Sequence, residues 1–204
     1  EEPIQFNICF HCSNGGVRID ENGQSTVPGL YAAGEVMSGP HGANRLAGHM
    51  LGGSQVFGAI AGRHAAESAK YRRKKEISEK TVQSAVKRLE SFKNEAGNTE
   101  VERVVDDLRW TAWSSFLAHS NEEAMSEAKS TIASLRARST ETRVVTPEDL
   151  VRKIELSNML EVGEMLAGAV SMRKESRGDH YRLDYPTQND EEWVKVILID
   201  KAGE

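Results

Sequence analysis

A change of composition near residue 70 constrains this chain more than any single motif: 12 of its 17 glycines and four of its six histidines lie before that point. Glycine-dense sequence makes tight turns and close backbone approaches, whereas a stretch poor in glycine and rich in cap signals makes helices. The first part reads as short strands and turns. Ile4 to Cys12 and Gly16 to Asp20 are extended runs, Glu21-Asn22-Gly23 carries the Asn-Gly of a hairpin, and Gly29 to Ala33 is an apolar strand. From about Gly52 to Ala69, small residues such as Gly53, Ala59, Ala61 and Gly62 accompany Val56, Phe57 and Ile60 at helical spacing. A helix of that kind can approach a neighbour closely.

Beyond the basic run Lys70 to Lys75, read as a solvated helix end, the signals are helical. One helix is expected from Ser78 to Ala96, stopping at Gly97, and the pairs Thr99/Glu102 and Ser120/Glu123 have the spacing of capping boxes that start two more. Val101, Val104, Val105, Leu108, Ala112, Trp113, Phe116 and Leu117 form a core stripe on the first of these two. Thr146-Pro147-Glu148-Asp149 opens a further helix expected to reach about Lys174. Short connections imply an antiparallel bundle, packed against the first part along Leu150, Ile154, Leu160 and Ala167-Gly168-Ala169. Trp193 to Asp200 is apolar enough for a buried strand. The expected fold class is therefore α+β, with an incomplete α/β segment over 1–70, an antiparallel helical bundle over 71–174, and an extension over 175–204 that ends in a strand.

Composition excludes several functions. With 38% apolar residues in 204, the chain can bury a real core, and its net charge of -5 argues against a nucleic-acid binder. No apolar run reaches the roughly 18 to 20 residues needed to cross a bilayer, and no signal-peptide pattern opens the chain, which points to the cytoplasm or the inner face of a membrane complex. The chain begins Glu1-Glu2-Pro3 rather than with methionine, as a piece of a longer protein would. Cys9 and Cys12 form a lone C-x-x-C. Residues three apart in a strand point to opposite faces roughly 10 Å apart, beyond disulfide reach. His11, His41 and His49 could complete a metal set only in principle, so the expectation is structural thiols and no metal.

Two stretches are more specific: His11-Cys12-Ser13-Asn14-Gly15-Gly16-Val17, and GLYAAGEVMSGPHGANRLAGHMLGGSQVFGAIA from Gly29 to Ala61. With Glu175-Ser176-Arg177-Gly178-Asp179-His180-Tyr181 and Asp184-Tyr185-Pro186, the chain resembles the flavoprotein subunits of succinate dehydrogenase and fumarate reductase. L-aspartate oxidase, of the same superfamily, is the close competitor. The resemblance covers nearly the whole chain and implies FAD as cofactor, a small carboxylate substrate and an iron-sulfur partner subunit. It also makes residues 1–70 the segment that completes an FAD-binding domain. The family's Gly-rich fingerprint, capping domain and proton-donating arginine are not in this sequence, so no catalytic residue is assigned and the fragment alone is expected to be inactive. Its exposed apolar surface could drive homodimerisation.

The resemblance also implies residue roles. Arg45 would clamp a substrate carboxylate with its planar fork, the other reading being a loop salt bridge, and His11 would donate to a second carboxylate oxygen. Gly15-Gly16 would let the backbone approach ligand or flavin. Glu35 would bond the sugar-like chain of FAD, and Met50 and Leu51, at a helix N-terminus, would meet the flavin pyrimidine edge through backbone N–H groups. Leu46-Ala47-Gly48-His49-Met50-Leu51 departs from the family's Leu-Gly-Gly-Asn-Ser-Leu, which leaves His49 as either a new ligand contact or a packing substitute. Asn14 departs as well. His41 reads as a loop-stabilising residue, Arg177 as an ion-pair tether, and His64 and His119 as structural. A reading of another class makes the bundle a subunit-docking module with vestigial flavin residues.

Overall fold

The computed structural model describes residues 12–46, 48–72, 76–116 and 120–200. They fall into two compact units, Glu1–Lys75 and Glu76–Glu204. Helices dominate, and the named strands of the described residues are a parallel pair, β1 (Val17–Arg18) and β2 (Met37–Ser38), with Val17 opposite Met37.

In the first unit the Asn-Gly turn forms as its chemistry demands. The Asp20 carboxylate accepts the N–H groups of Asn22 and Gln24, each at 2.9 Å, and Gly23 takes a φ of 76°. The turn joins single antiparallel bridges, Ile19 to Ser25 and Gln24 to Tyr31, so the strand expected at 29–33 contributes only Tyr31. Ile4 to His11 lie outside the described residues. Helix α1 (His49–Tyr71) begins slightly ahead of its expected start, after Gly48 at φ 80°. Its small residues have a definite neighbour: a Cβ on Gly23 would stand 2.6 Å from the Cβ of buried Ala61.

In the second unit, α3 (Val101–Phe116), α4 (Glu122–Ser139) and α5 (Pro147–Met172) pack on one another. Their core is Val101, Val104, Val105, Leu108, Ile132, Leu135, Val144, Leu156, Leu160 and Ala167. Leu160 and Ala167 thus belong to the helical unit's own core. The α3 stripe continues through buried Thr111 and Ser115 in place of Ala112 and Trp113; Thr111 is tolerated because its hydroxyl donates to the Asp107 carbonyl at 2.8 Å. Gly163 lies where a Cβ would meet Ile132 Cδ1 at 3.4 Å.

The Thr146 capping box forms in full: Thr146 Oγ1 accepts from Asp149 N–H, and the Asp149 carboxylate accepts from Thr146 N–H. Two other boxes do not form. Asn121, not Ser120, caps α4 by accepting the Ala124 N–H, and Thr99 instead bridges Thr142. Helix α2 (Glu79–Glu90), capped by Ser78, has no buried residue and ends well short of Gly97. That glycine serves a crossing of two chain segments, where a Cβ would stand 2.5 Å from the Arg143 nitrogen.

The expected terminal strand is absent. Residues 190–193 form a helical turn, α6 (Asp190–Trp193), and Val194 and Val196 remain exposed. A strand needs an edge to pair with, and the described part of this unit offers none. What holds residues 173–195 is charge. Glu175, fully buried, is bonded by Arg173 at 2.6 Å and by Arg177 through both carboxylate oxygens, and Arg177 reaches on to Asp190. Arg177 therefore is a tether. Arg173 also donates to the Trp193 and Lys195 carbonyls. Arg182, fully buried, grips Asp184 bidentately at 2.8 and 2.7 Å and bonds the Val170 carbonyl at the end of α5. No described helix is long and apolar enough to cross a membrane.

Candidate functional site

The segment Cys12-Ser13 contacts two of the side chains singled out in the first unit, Glu35 and Arg45. The Ser13 N–H donates to Glu35 Oε1 at 2.9 Å, and an Arg45 terminal guanidinium nitrogen donates to Cys12 Sγ at 3.4 Å. Glu35 is exposed on a 3-10 turn, Gly34–Val36, rather than at a strand end. It follows from Gly34 at φ 76°, a backbone that L side chains rarely adopt.

Arg45 lies in a loop whose glycines, Gly39, Gly42 and Gly48, all have positive φ. Its backbone N–H is taken by Asn44 Oδ1 at 2.6 Å. Its Nε is buried with no hydrogen-bond partner among the described residues. A sulfur is a weak acceptor, so the guanidinium keeps its charge and most of its donors for something else. No carboxylate neutralises it through a salt bridge, so the loop salt-bridge reading does not describe this geometry among the described residues.

Met50 and Leu51 lie in the first turn of α1, which has no side-chain cap. The Leu51 N–H already donates to the Gly48 carbonyl at 3.2 Å, and the Met50 carbonyl accepts from the Ser54 hydroxyl at 2.7 Å. Leu51 is exposed, and Met50 is half-buried. His49 is exposed beside them. His11 lies outside the described residues. The glycine pair after it has a local purpose: Gly16, at φ 142°, has no room for a Cβ, which would run into the Val36 carbonyl beside the β1–β2 pair, while Gly15 has open space. Close approach is thus to backbone at Gly16. Gly16→Ala is expected to cost at least about 2 kcal/mol, because strain at positive φ adds to a clash with backbone that cannot swing away; thermal melting of the variant tests it.

Sequence reasoning missed two partners, Cys12 for Arg45 and Ser13 for Glu35. Neither leaves a local signal, since each pair is joined only by the fold.

Residues 2–51 match the FAD binding domain model and residues 105–204 match the fumarate reductase flavoprotein C-terminal model. The chain belongs to the succinate dehydrogenase and fumarate reductase flavoprotein family. It is 33% identical over 205 residues to the fumarate reductase flavoprotein subunit of Haemophilus influenzae, covering 97% of this chain and 34% of that protein. It is 35% identical over 199 residues to an uncharacterized FAD-dependent oxidoreductase of Methanocaldococcus jannaschii, covering 98% of this chain and 36% of the relative. The solved quinol fumarate reductase of E. coli aligns at a TM-score of 0.79 and 30% identity, over 87% of this chain and 32% of that one. The chain therefore spans about a third of the length of the curated relatives it matches. FAD is the cofactor of this flavoprotein family of oxidoreductases.

The residues present are compatible with that cofactor: α1 starts without a side-chain cap, although the His49 and Leu51 N–H groups already donate to the Leu46 and Gly48 carbonyls, and Glu35 has one oxygen engaged by Ser13.

Proposed function

We propose that the intact protein is an FAD-dependent oxidoreductase that moves a hydride between a small carboxylate substrate and flavin N5. The observation that carries this reading is Arg45: a half-buried guanidinium with an unpartnered Nε and a thiol as its only hydrogen-bonding side chain among the described residues. A planar fork in that state is prepared for a carboxylate, and fixing the carboxylate removes the entropy of alignment from the chemical step. His11 would donate to a second carboxylate oxygen. Glu35 would accept from hydroxyls of the cofactor, and the α1 N-terminus at Met50 and Leu51 would face its pyrimidine edge. When bound, FAD supplies the hydride acceptor or donor.

Residues 1–70 are then the closing segment of an FAD-binding domain, 71–174 a helical bundle domain and 175–204 an extension. On this reading the fragment lacks the proton donor and is inactive alone. An iron-sulfur subunit passes electrons onward at the inner face of a membrane. The Haemophilus influenzae relative, named for a flavoprotein component of fumarate reductase, supports such an assembly, as does the solved quinol fumarate reductase.

Arg45→Lys in the whole flavoprotein tests the reading. The lysine keeps the charge and loses the fork, so kcat/KM should fall by about 3 kcal/mol or more while flavin content stays unchanged. His11→Gln should lose less, because an amide still donates one hydrogen bond. Unchanged turnover and affinity in Arg45→Lys, with flavin retained, would overturn the assignment.

A further inference from the structure

We infer that His41 is a positioning residue, the pin that holds the Arg45 loop against α1 while Arg45 changes partners; this rests on Arg45 being the carboxylate clamp. Glycines at 39, 42 and 48, all at positive φ, leave the loop with little backbone restraint of its own. Two of its described side chains reach the rest of the unit. One is Arg45, through Cys12, and that contact must be loosened when the guanidinium turns to a carboxylate. The other is His41. Its ring lies against α1 where Gly53 has no side chain: a Cβ there would stand 3.1 Å from Nε2 and 3.2 Å from Cε1. Its Nε2 is buried with no hydrogen-bond partner among the described residues, so on the side facing α1 the ring is held by shape. The fit between His41 and Gly53 is therefore the contact that persists when a ligand takes Arg45.

Gly53 is an odd choice for this place otherwise. It lies inside a 23-residue helix, where alanine is the better helix former. Keeping glycine there costs stability and leaves space for the imidazole. Gly53→Ala should consequently raise or preserve the melting temperature while displacing His41 by a few tenths of an ångström, and with it the loop.

The test uses the whole flavoprotein, with malonate as a non-reducible dicarboxylate whose binding is read from the flavin absorbance change. Flavin content and melting temperature are measured alongside. Gly53→Ala and His41→Ala should each weaken malonate by about tenfold at unchanged flavin content, since small displacements of a clamp are costly. With a slow-reacting substrate, KM should rise more than kcat falls. The double variant should be no worse than His41→Ala alone, because the crowding has gone with the ring. His41→Asn, which restores part of the ring's volume, should recover part of the affinity. The inference fails if Arg45→Lys weakens malonate but both single variants stay within about twofold of the parent, or if their losses simply add. It also fails if the variants lose flavin in proportion to affinity, which would make His41 a general support of the fold. A neutral Arg45→Lys would remove the carboxylate clamp itself, and the pin with it.

Discussion

Arg182→Ala is expected to destabilise the helical unit by about 2 kcal/mol, because it removes a fully buried guanidinium whose hydrogen bonds go to half-exposed Asp184 and to a carbonyl at the end of α5. Arg182 is fully buried and joins three places in the fold. It pairs with Asp184, donates to the Val170 carbonyl at the end of α5, and reaches Glu122 at the start of α4 at 3.3 Å. Asp184 in turn accepts the Glu122 N–H at 2.9 Å, so one ion pair satisfies groups at the ends of both helices. The ring of Tyr185 covers the guanidinium at 5.2 Å from its centroid. Alanine would take the guanidinium away from both Asp184, which keeps the Glu122 N–H, and the α5 carbonyl. Arg182→Lys should recover only part of the loss, because an ammonium cannot span Asp184 bidentately and reach α5 as well. Denaturant unfolding followed by helix signal measures both. A loss below about 1 kcal/mol for alanine would show that the pair is screened as a surface pair is.

Glu175→Gln should cost a similar amount and flatten the acid response. The Arg177 hydrogen bond, joined by the Asn189 N–H and Arg173 and opposed by burial, holds the Glu175 carboxyl at about 2 against an ordinary 4.5. Arg182 holds Asp184 at about 2 against 3.8. Both folded values are depressed, so the unfolded chain binds more protons in this window. The stability they contribute is present above the ordinary values and drains away as pH falls from about 4.5 toward 2. In Glu175→Gln the slope of stability against pH between those limits should be shallower, since one of the two groups no longer titrates, and neutral stability should be lower because two arginines have lost their carboxylate. A variant with the parent's slope would mean that Glu175 is not the group responsible.

This charge network also explains why the end of the chain was hard to read. Trp193 to Asp200 is apolar enough to be a strand, but whether a strand forms depends on an edge to pair with. Here the backbone carbonyls of Trp193 and Lys195 are claimed by Arg173. Within the densely charged stretch at 175–184, Glu175 and Arg182 are fully buried side chains. Burial of a charge is decided by partners far along the chain, and no local pattern announces them.

Whatever depends on neighbours within about four residues was legible in the amino-acid order. Thr146-Pro147-Glu148-Asp149 starts α5 with the reciprocal bonds its spacing foretold, and Asp20-Glu21-Asn22-Gly23 makes its turn, because donor, acceptor and backbone freedom are all contained in the motif. The family, too, was legible, through residues clustered in two short stretches. Which of several similar signals would be used was a matter for the folded chain. Gly97 reads as a helix stop but makes room for the Thr142–Arg143 segment, and Gly16 is needed to make room for Val36, a neighbour its local sequence does not announce. Ser120 and Thr99 have cap spacing, yet Asn121 takes the one cap and Thr142 takes the other residue. The meeting of Arg45 with Cys12 is of the same kind. A cap bond is worth roughly the same wherever it forms, whereas a close crossing or a buried pair gains its energy only once remote segments have excluded water between them.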